Sequence, residues 1–274
     1  MTENAAVTTG LSAGILTVRL TAPATRNAQT PGLWQALAEI GRTLDPSVRA
    51  VVLCADGPSF SAGLDRRMLT PEGIPGEGSM LGFAGMPAAD LDALISTFQD
   101  AFRWWRRGPV VTVAAVQGHA VGAGFQLALA CDLMVVAEDV QLAMKEPALG
   151  LVPDLGGTLP LVAAVGYSRA LEIVASTRAV GADEAVRIGL ALRAVPAADL
   201  EAAALAVARS CATAWPDAIA GSKALLADAA VRAAGTAPGT TGGWAAAHDA
   251  QLAAERGKQG DRIRALVAML SGVR

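Results

Sequence analysis

Apolar and polar positions along this chain follow strand-like and helix-like periods in turn, and later the helix-like period alone. Residues 14–20 read as a strand, and 31–44 carry apolar side chains at helical spacing, with Thr30 as N-cap and Pro31 at the first helical position. Residues 49–54 form a short buried strand, closed by the turn Ala55-Asp56-Gly57-Pro58. Residues 90–106 are helical, 109–116 are a continuous apolar strand ending at Gln117-Gly118, and 131–137 are another strand. Helical patterns then cover 157–165, 168–176, 183–188, 200–214, 216–234 and 244 to the C-terminus. Strand-then-helix units followed by helices alone predict an α/β core over 1–195 and a helical C-terminal region over 196–274.

One stretch breaks the pattern. Residues 69–87 hold five glycines and three prolines, mixed with Met80, Leu81, Phe83 and Met86. They read as a long, mobile, partly apolar loop, either a lid or binding element or a poorly ordered insertion.

Composition narrows the function classes. A hydrophobic share of 53% over 274 residues excludes a disordered or fibrous chain. A net charge of -3, with no basic block longer than the pairs Arg66-Arg67 and Arg106-Arg107, argues against nucleic acid and anionic membrane as partners. The apolar runs fall short of the roughly 18 residues of a spanning helix. The opening Met1-Thr2-Glu3-Asn4-Ala5-Ala6 has no basic start and no long apolar stretch, so a cytoplasmic location is expected. Cys54, Cys131 and Cys211 stand far apart in apolar sequence and are expected in the core, not in disulfides or a metal site.

Two glycine turns carry the candidate chemistry. Phe60-Ser61-Ala62-Gly63-Leu64-Asp65 follows a strand and a turn, and Gly118-His119-Ala120-Val121-Gly122-Ala123-Gly124-Phe125-Gln126 follows a strand and leads into a helix. Helix N-termini present unpaired N–H donors, so two such turns brought together would hold an oxyanion. No Lys-Ser/Thr follows the second turn and Leu127 stands where a dinucleotide fingerprint needs glycine, which discounts nucleotide binding. The sequence has no G-x-S-x-G elbow, and His119 and His248, its two histidines, lack partners at metal-ligand spacing.

These turns, with Pro23-Ala24-Thr25-Arg26-Asn27-Ala28, Cys131-Asp132 and the run from Glu146 through Gly150-Leu151-Val152-Pro153-Asp154-Leu155-Gly156-Gly157-Thr158, resemble the enoyl-CoA hydratase/isomerase (crotonase) superfamily. The resemblance implies an α/β fold, a crotonase-like (ClpP/crotonase) spiral of β-β-α units, with a C-terminal helical region (196–274) for trimerisation into trimers or paired trimers. It implies an acyl-CoA thioester as substrate, with coenzyme A as part of that substrate and no separate cofactor or metal. The oxyanion donors become the N–H groups of Leu64 and Ala123, and coenzyme A contacts fall at Arg26, Ala62, Asp65 and Arg66, with Arg67 nearby.

The hydratases of that family use two glutamates, and here the first position is Gln126 and the second Glu146. An amide cannot shuttle a proton near neutral pH, so double-bond isomerisation through Glu146 is favoured over hydration. Asp154, eight residues beyond Glu146, stands where dienoyl-CoA isomerases of the family carry an aspartate. It reads equally as a turn residue after Pro153, and Glu146 taken alone reads as a solvated charge paired with Lys145. The rival from another class is a non-catalytic acyl-CoA binding protein of the same fold.

Overall fold

The computed structural model describes residues 6–233 and 243–270. In chain order the elements are β1 (Val7–Ser12), β2 (Ile15–Leu20), α1 (Pro31–Arg42), β3 (Ala50–Ala55), α2 (Met80–Ala84), α3 (Ala88–Arg107), β4 (Val111–Val116), β5 (His119–Val121), α4 (Ala123–Ala130), β6 (Leu133–Ala137), β7 (Gln141–Ala143), α5 (Thr158–Val165), α6 (Tyr167–Ser176), α7 (Ala182–Arg187), β8 (Arg193–Val195), α8 (Leu200–Ala212), α9 (Pro216–Ala233) and α10 (Gly243–Leu270), with short 3-10 turns between some of them. The expectations for residues 1–5, 234 and 271–274 lie outside the described residues.

The main sheet has the order β1-β2-β3-β4-β6-β8, antiparallel in the first hairpin and parallel from β2 onward. Its central strands are continuous apolar runs because both faces are covered. Val51 and Leu53 of β3 turn into the larger core with Ala114, Val116 and Val136. Ala50, Val52 and Cys54 turn the other way, onto Leu200, Ala204, Val207 and Ala208 of α8. The period of two along a strand thus builds two cores from one run.

A second, smaller layer explains the spiral. β5 pairs with β7, and isolated bridges Ser61–Ala120, Gln29–Leu64 and Leu142–Val180 extend that pairing on both sides. Each of β2, β3, β4 and β6 is therefore followed by a short pairing in the small layer before the chain enters its next helix. This is the expected β-β-α repeat. Thr30 Oγ1 accepts from Leu33 N at 3.2 Å, so the start of α1 is capped as its sequence predicts.

Strands β5, β7 and β8 were not anticipated, since three residues are too few to show a period. β1 was missed because only Val7 of its six residues is buried. Residues 69–87 run largely as loop, as expected, and add the short helix α2. Ile74 bridges to Gly78, Ser79 Oγ caps α2 at Gly82 N, and Ile74, Ser79 and Phe83 are buried. The stretch is a folded wall element, held by its apolar residues against Phe98 of α3.

Cys131-Asp132 has a structural role. Asp132 Oδ2 accepts from Thr112 N (2.9 Å), Thr112 Oγ1 (3.0 Å) and Lys223 Nζ (2.6 Å), tying α9 to the β4–β6 edge. Cys54 and Cys131 are buried and Cys211 half-buried, all as free thiols, and burial pushes the Cys54 thiol up to about 12. Among the described residues no helix is long and apolar enough to cross a membrane. α10 returns over the core and packs on α2, α3 and α5.

Candidate active site

The two glycine turns meet because glycine leaves no Cβ between them. A Cβ on Gly63 would sit 2.4 Å from Val121 O, and one on Gly124 would sit 2.5 Å from Ser61 O. Ser61 has its hydroxyl bound within the turns: it donates to Asn27 O (2.8 Å) and accepts from Gly63 N (3.2 Å). Changing Gly124 to Ala should therefore pry the turns apart and destabilise the fold by about 1–3 kcal/mol, read as a lower urea midpoint with unchanged slope.

Where the turns meet, Leu64 and Ala123 line a cavity of about 460 Å3. Backbone bonding of the small layer runs through Gln29 N to Gly63 O and Asp65 N to Gln29 O, which leaves the Leu64 N–H out of the ladder. Ala123 is the first residue of α4, where a helix N–H has no intrahelical acceptor. Both residues thus line the cavity with backbone N–H groups outside the ladder and the helix bonding.

Gln126, Glu146 and Asp154 line the same cavity. Gln126, one turn into α4, is buried, and its Oε1 accepts from Leu155 N (2.9 Å) and Gly157 N (3.3 Å). Those two bonds orient the amide, so Nε2 donates to Glu146 Oε1 at 2.6 Å. Glu146 is 8% exposed, and its Oε2 has no hydrogen-bond partner among the described residues. The solvated-charge reading of Glu146 is overturned. Lys145, its expected ion partner, sends its ammonium to Thr177 O.

Burial raises the Glu146 carboxyl to about 7, opposed in part by the Gln126 amide. Burial also raises Asp154 well above the usual carboxylate range, and the charges of Glu146 and Glu255 add to it. A raised carboxyl favours its protonated form in the native state. The stability it contributes is full below the unfolded value near 4.5 and is lost as pH rises through about 7. Glu146→Gln should therefore be more stable than the parent at pH 8, by on the order of 3 kcal/mol, and melt at a higher temperature there, with no such gain at pH 4. Calorimetric melts at the two pH values check this.

Of the expected coenzyme A contacts, Ala62 and Arg66 line the cavity and are exposed. Arg26 is exposed and outside the lining, joined to the site by Ala62 N donating to Arg26 O. Asp65 is also outside it and is engaged in holding Arg67, whose N, Nε and Nη2 all donate to its carboxylate. His119 lies outside the lining as well, exposed beside Ser59.

Sequence reasoning missed the apolar wall. Trp34, Phe98 and Phe83 stand in a row, with ring centroids 4.9 Å and 6.0 Å apart, and Ile263 and Gln259 of α10 also line the cavity. The helical spacing of α10 was visible, but nothing local says which residues of a helix reach a site more than 100 positions upstream.

A family model described as enoyl-CoA hydratase/isomerase matches residues 10–237. A Mycobacterium bovis protein assigned as an enoyl-CoA hydratase is 32% identical over 60% of this chain, and the match spans 58% of that protein's length. The mitochondrial Delta(3,5)-Delta(2,4)-dienoyl-CoA isomerase of Mus musculus is 32% identical over 76% of this chain and 64% of its own length. Among solved structures, a Thermobifida fusca protein assigned to the enoyl-CoA hydratases, in complex with acetoacetyl-CoA, superposes with a TM-score of 0.79 and 40% identity, covering 92% of this chain and 94% of that one.

Proposed function

Since this chain belongs to the enoyl-CoA hydratase/isomerase family, we propose that it shifts a carbon–carbon double bond in an enoyl-CoA thioester through an enolate. The observation that carries this reading is the Gln126–Glu146 pair. One carboxylate oxygen is held by an amide at 2.6 Å, the other is free, and the position that hydratases fill with a second glutamate holds a group unable to move a proton.

In the proposed reaction Glu146 Oε2 takes a proton from C2 of a 3-enoyl or 3,5-dienoyl thioester. The electron pair of the C–H bond becomes a dienolate, and its negative oxygen is held by the N–H groups of Leu64 and Ala123. The proton returns to the far end of the conjugated system from Glu146 or from Asp154. The two carboxyls on this cavity divide the work, Glu146 as base and Asp154 as acid. The chemistry needs no cofactor beyond the coenzyme A of the substrate, whose phosphates would meet Arg66 and Arg26 at the rim.

We extend the reading to assembly as well, with residues 196–274 as the trimerisation region of a cytoplasmic homotrimer or paired trimer, to be checked by light scattering. The test of the activity is incubation in D2O with 2-enoyl, 3-enoyl and 2,5-dienoyl or 3,5-dienoyl-CoA thioesters, following mass and absorbance together. Deuterium uptake with a shifted chromophore supports isomerisation. Addition of water, read as a gain of one H2O equivalent in mass, would replace it by hydration. Binding without change would favour the acyl-CoA binding protein, the reading that Gln126 alone would suggest.

A further inference from the structure

α10 presents a polar stripe at helical spacing to the loop that carries Asp154. Gln251 Nε2 donates to Thr158 Oγ1 (2.8 Å), and Glu255 accepts from Gly156 N (2.8 Å) and from the Thr158 hydroxyl. Gln259 Oε1 accepts from Val152 N (3.1 Å), and Arg262 Nε donates to Gly150 O (2.6 Å). From α3, Gln99 Nε2 donates to Asp154 O (2.6 Å) and to Leu252 O (3.1 Å). One side of the turn 155–158 is thus held by α10, and the other donates its Leu155 and Gly157 N–H groups to Gln126, the residue that aims Glu146.

A helix contributing buried glutamate and glutamine to a contact is costly unless each group is paired, and Glu255 and Gln259 both are. Glu255 is 4% exposed and spends its carboxylate on the turn, so it is neither a surface charge nor a substrate contact. We infer that Glu255, at the centre of the α10 stripe, is a positioning residue that holds the 154–158 turn against Gln126 and so aims the Glu146 carboxylate. The inference rests on the acid/base reading of Glu146 given above. The charge of Glu255 also bears on Asp154 and, more weakly, on Glu146, raising both. The other charged or titratable groups nearby are His248 beside Gly156, Arg256 bonded to Gln99 and Asp92, Arg262 on Gly150, and Lys145 on Thr177.

The test compares Glu255→Gln, Thr158→Val, their double variant and Glu146→Gln in the full chain, with 3-hexenoyl-CoA as substrate and coenzyme A binding by calorimetry. Glu255→Gln is expected to keep its coenzyme A affinity within about threefold and its KM nearly unchanged while kcat falls about 10- to 100-fold, the loss that a misaimed group produces. With the like charge gone, the rising limb of kcat/KM should move to lower pH. Thr158→Val should reproduce part of the kcat loss, with the double variant no worse than Glu255→Gln alone. Wild-type kcat and pH profile in Glu255→Gln, with Glu146→Gln inactive, would overturn the inference and leave the base assignment standing. A kcat loss that only follows the loss of coenzyme A binding sites would also overturn it, since Glu255 would then be purely structural. Turnover surviving in Glu146→Gln would instead remove the reading on which the inference depends.

Discussion

Glu146→Gln is expected to lower turnover of an enoyl-CoA by about 10²- to 10⁴-fold, the range a positioned acid/base supplies, while coenzyme A affinity stays within about threefold. The substitution is nearly isosteric, and the oxygen that accepts from Gln126 Nε2 is retained, so the cavity keeps its shape. What disappears is a group able to take up and release a proton, because an amide does neither near neutral pH. Stopped kinetics with intact binding would locate the chemistry at one carboxyl. Retained turnover would move the base to Asp154, the other carboxyl lining the cavity.

Ala123→Pro is expected to cost about 10²- to 10³-fold in kcat with little loss of stability. Ala123 is the first residue of α4, where proline is tolerated because its missing N–H has no helical acceptor to lose. The residue before it is Gly122, which has no Cβ to meet the proline ring. The change therefore removes one of the two proposed oxyanion donors and leaves the helix. Circular dichroism and a thermal melt separate this outcome from unfolding. Near-parental kcat in the folded variant would show that the negative oxygen is held elsewhere.

Both experiments act on groups that could be named from the chain alone. The glycine turns, Gln126, Glu146 and Asp154 stand in recognisable blocks, and the structure gathers Leu64, Ala123 and these three side chains around one cavity. Asp65, also read as a coenzyme A contact, has its carboxylate on the turn after it, where it caps that turn and holds Arg67. Sequence position brought it near the site. Its nearest strong donor decided where it points.

Strands β2, β3, β4 and β6, the capped start of α1 and the helical character of the second half were written in local periodicity, because burial on one or two faces imposes a repeat that a short window contains. The positions proposed to handle protons were also legible locally, since each depends on residue type within a block. Three things required the folded chain. Burial raises the proton affinity of Glu146, and the cavity it lines is built from segments far apart in sequence, Trp34 to Ile263. The aromatic wall joins Trp34, Phe83 and Phe98 from three helices. The α10 stripe reaches back from residues 251–262 to residues 150–158. Each is a meeting of distant segments, and a pairing across 100 positions leaves no repeat in either partner for a sequence pattern to reveal.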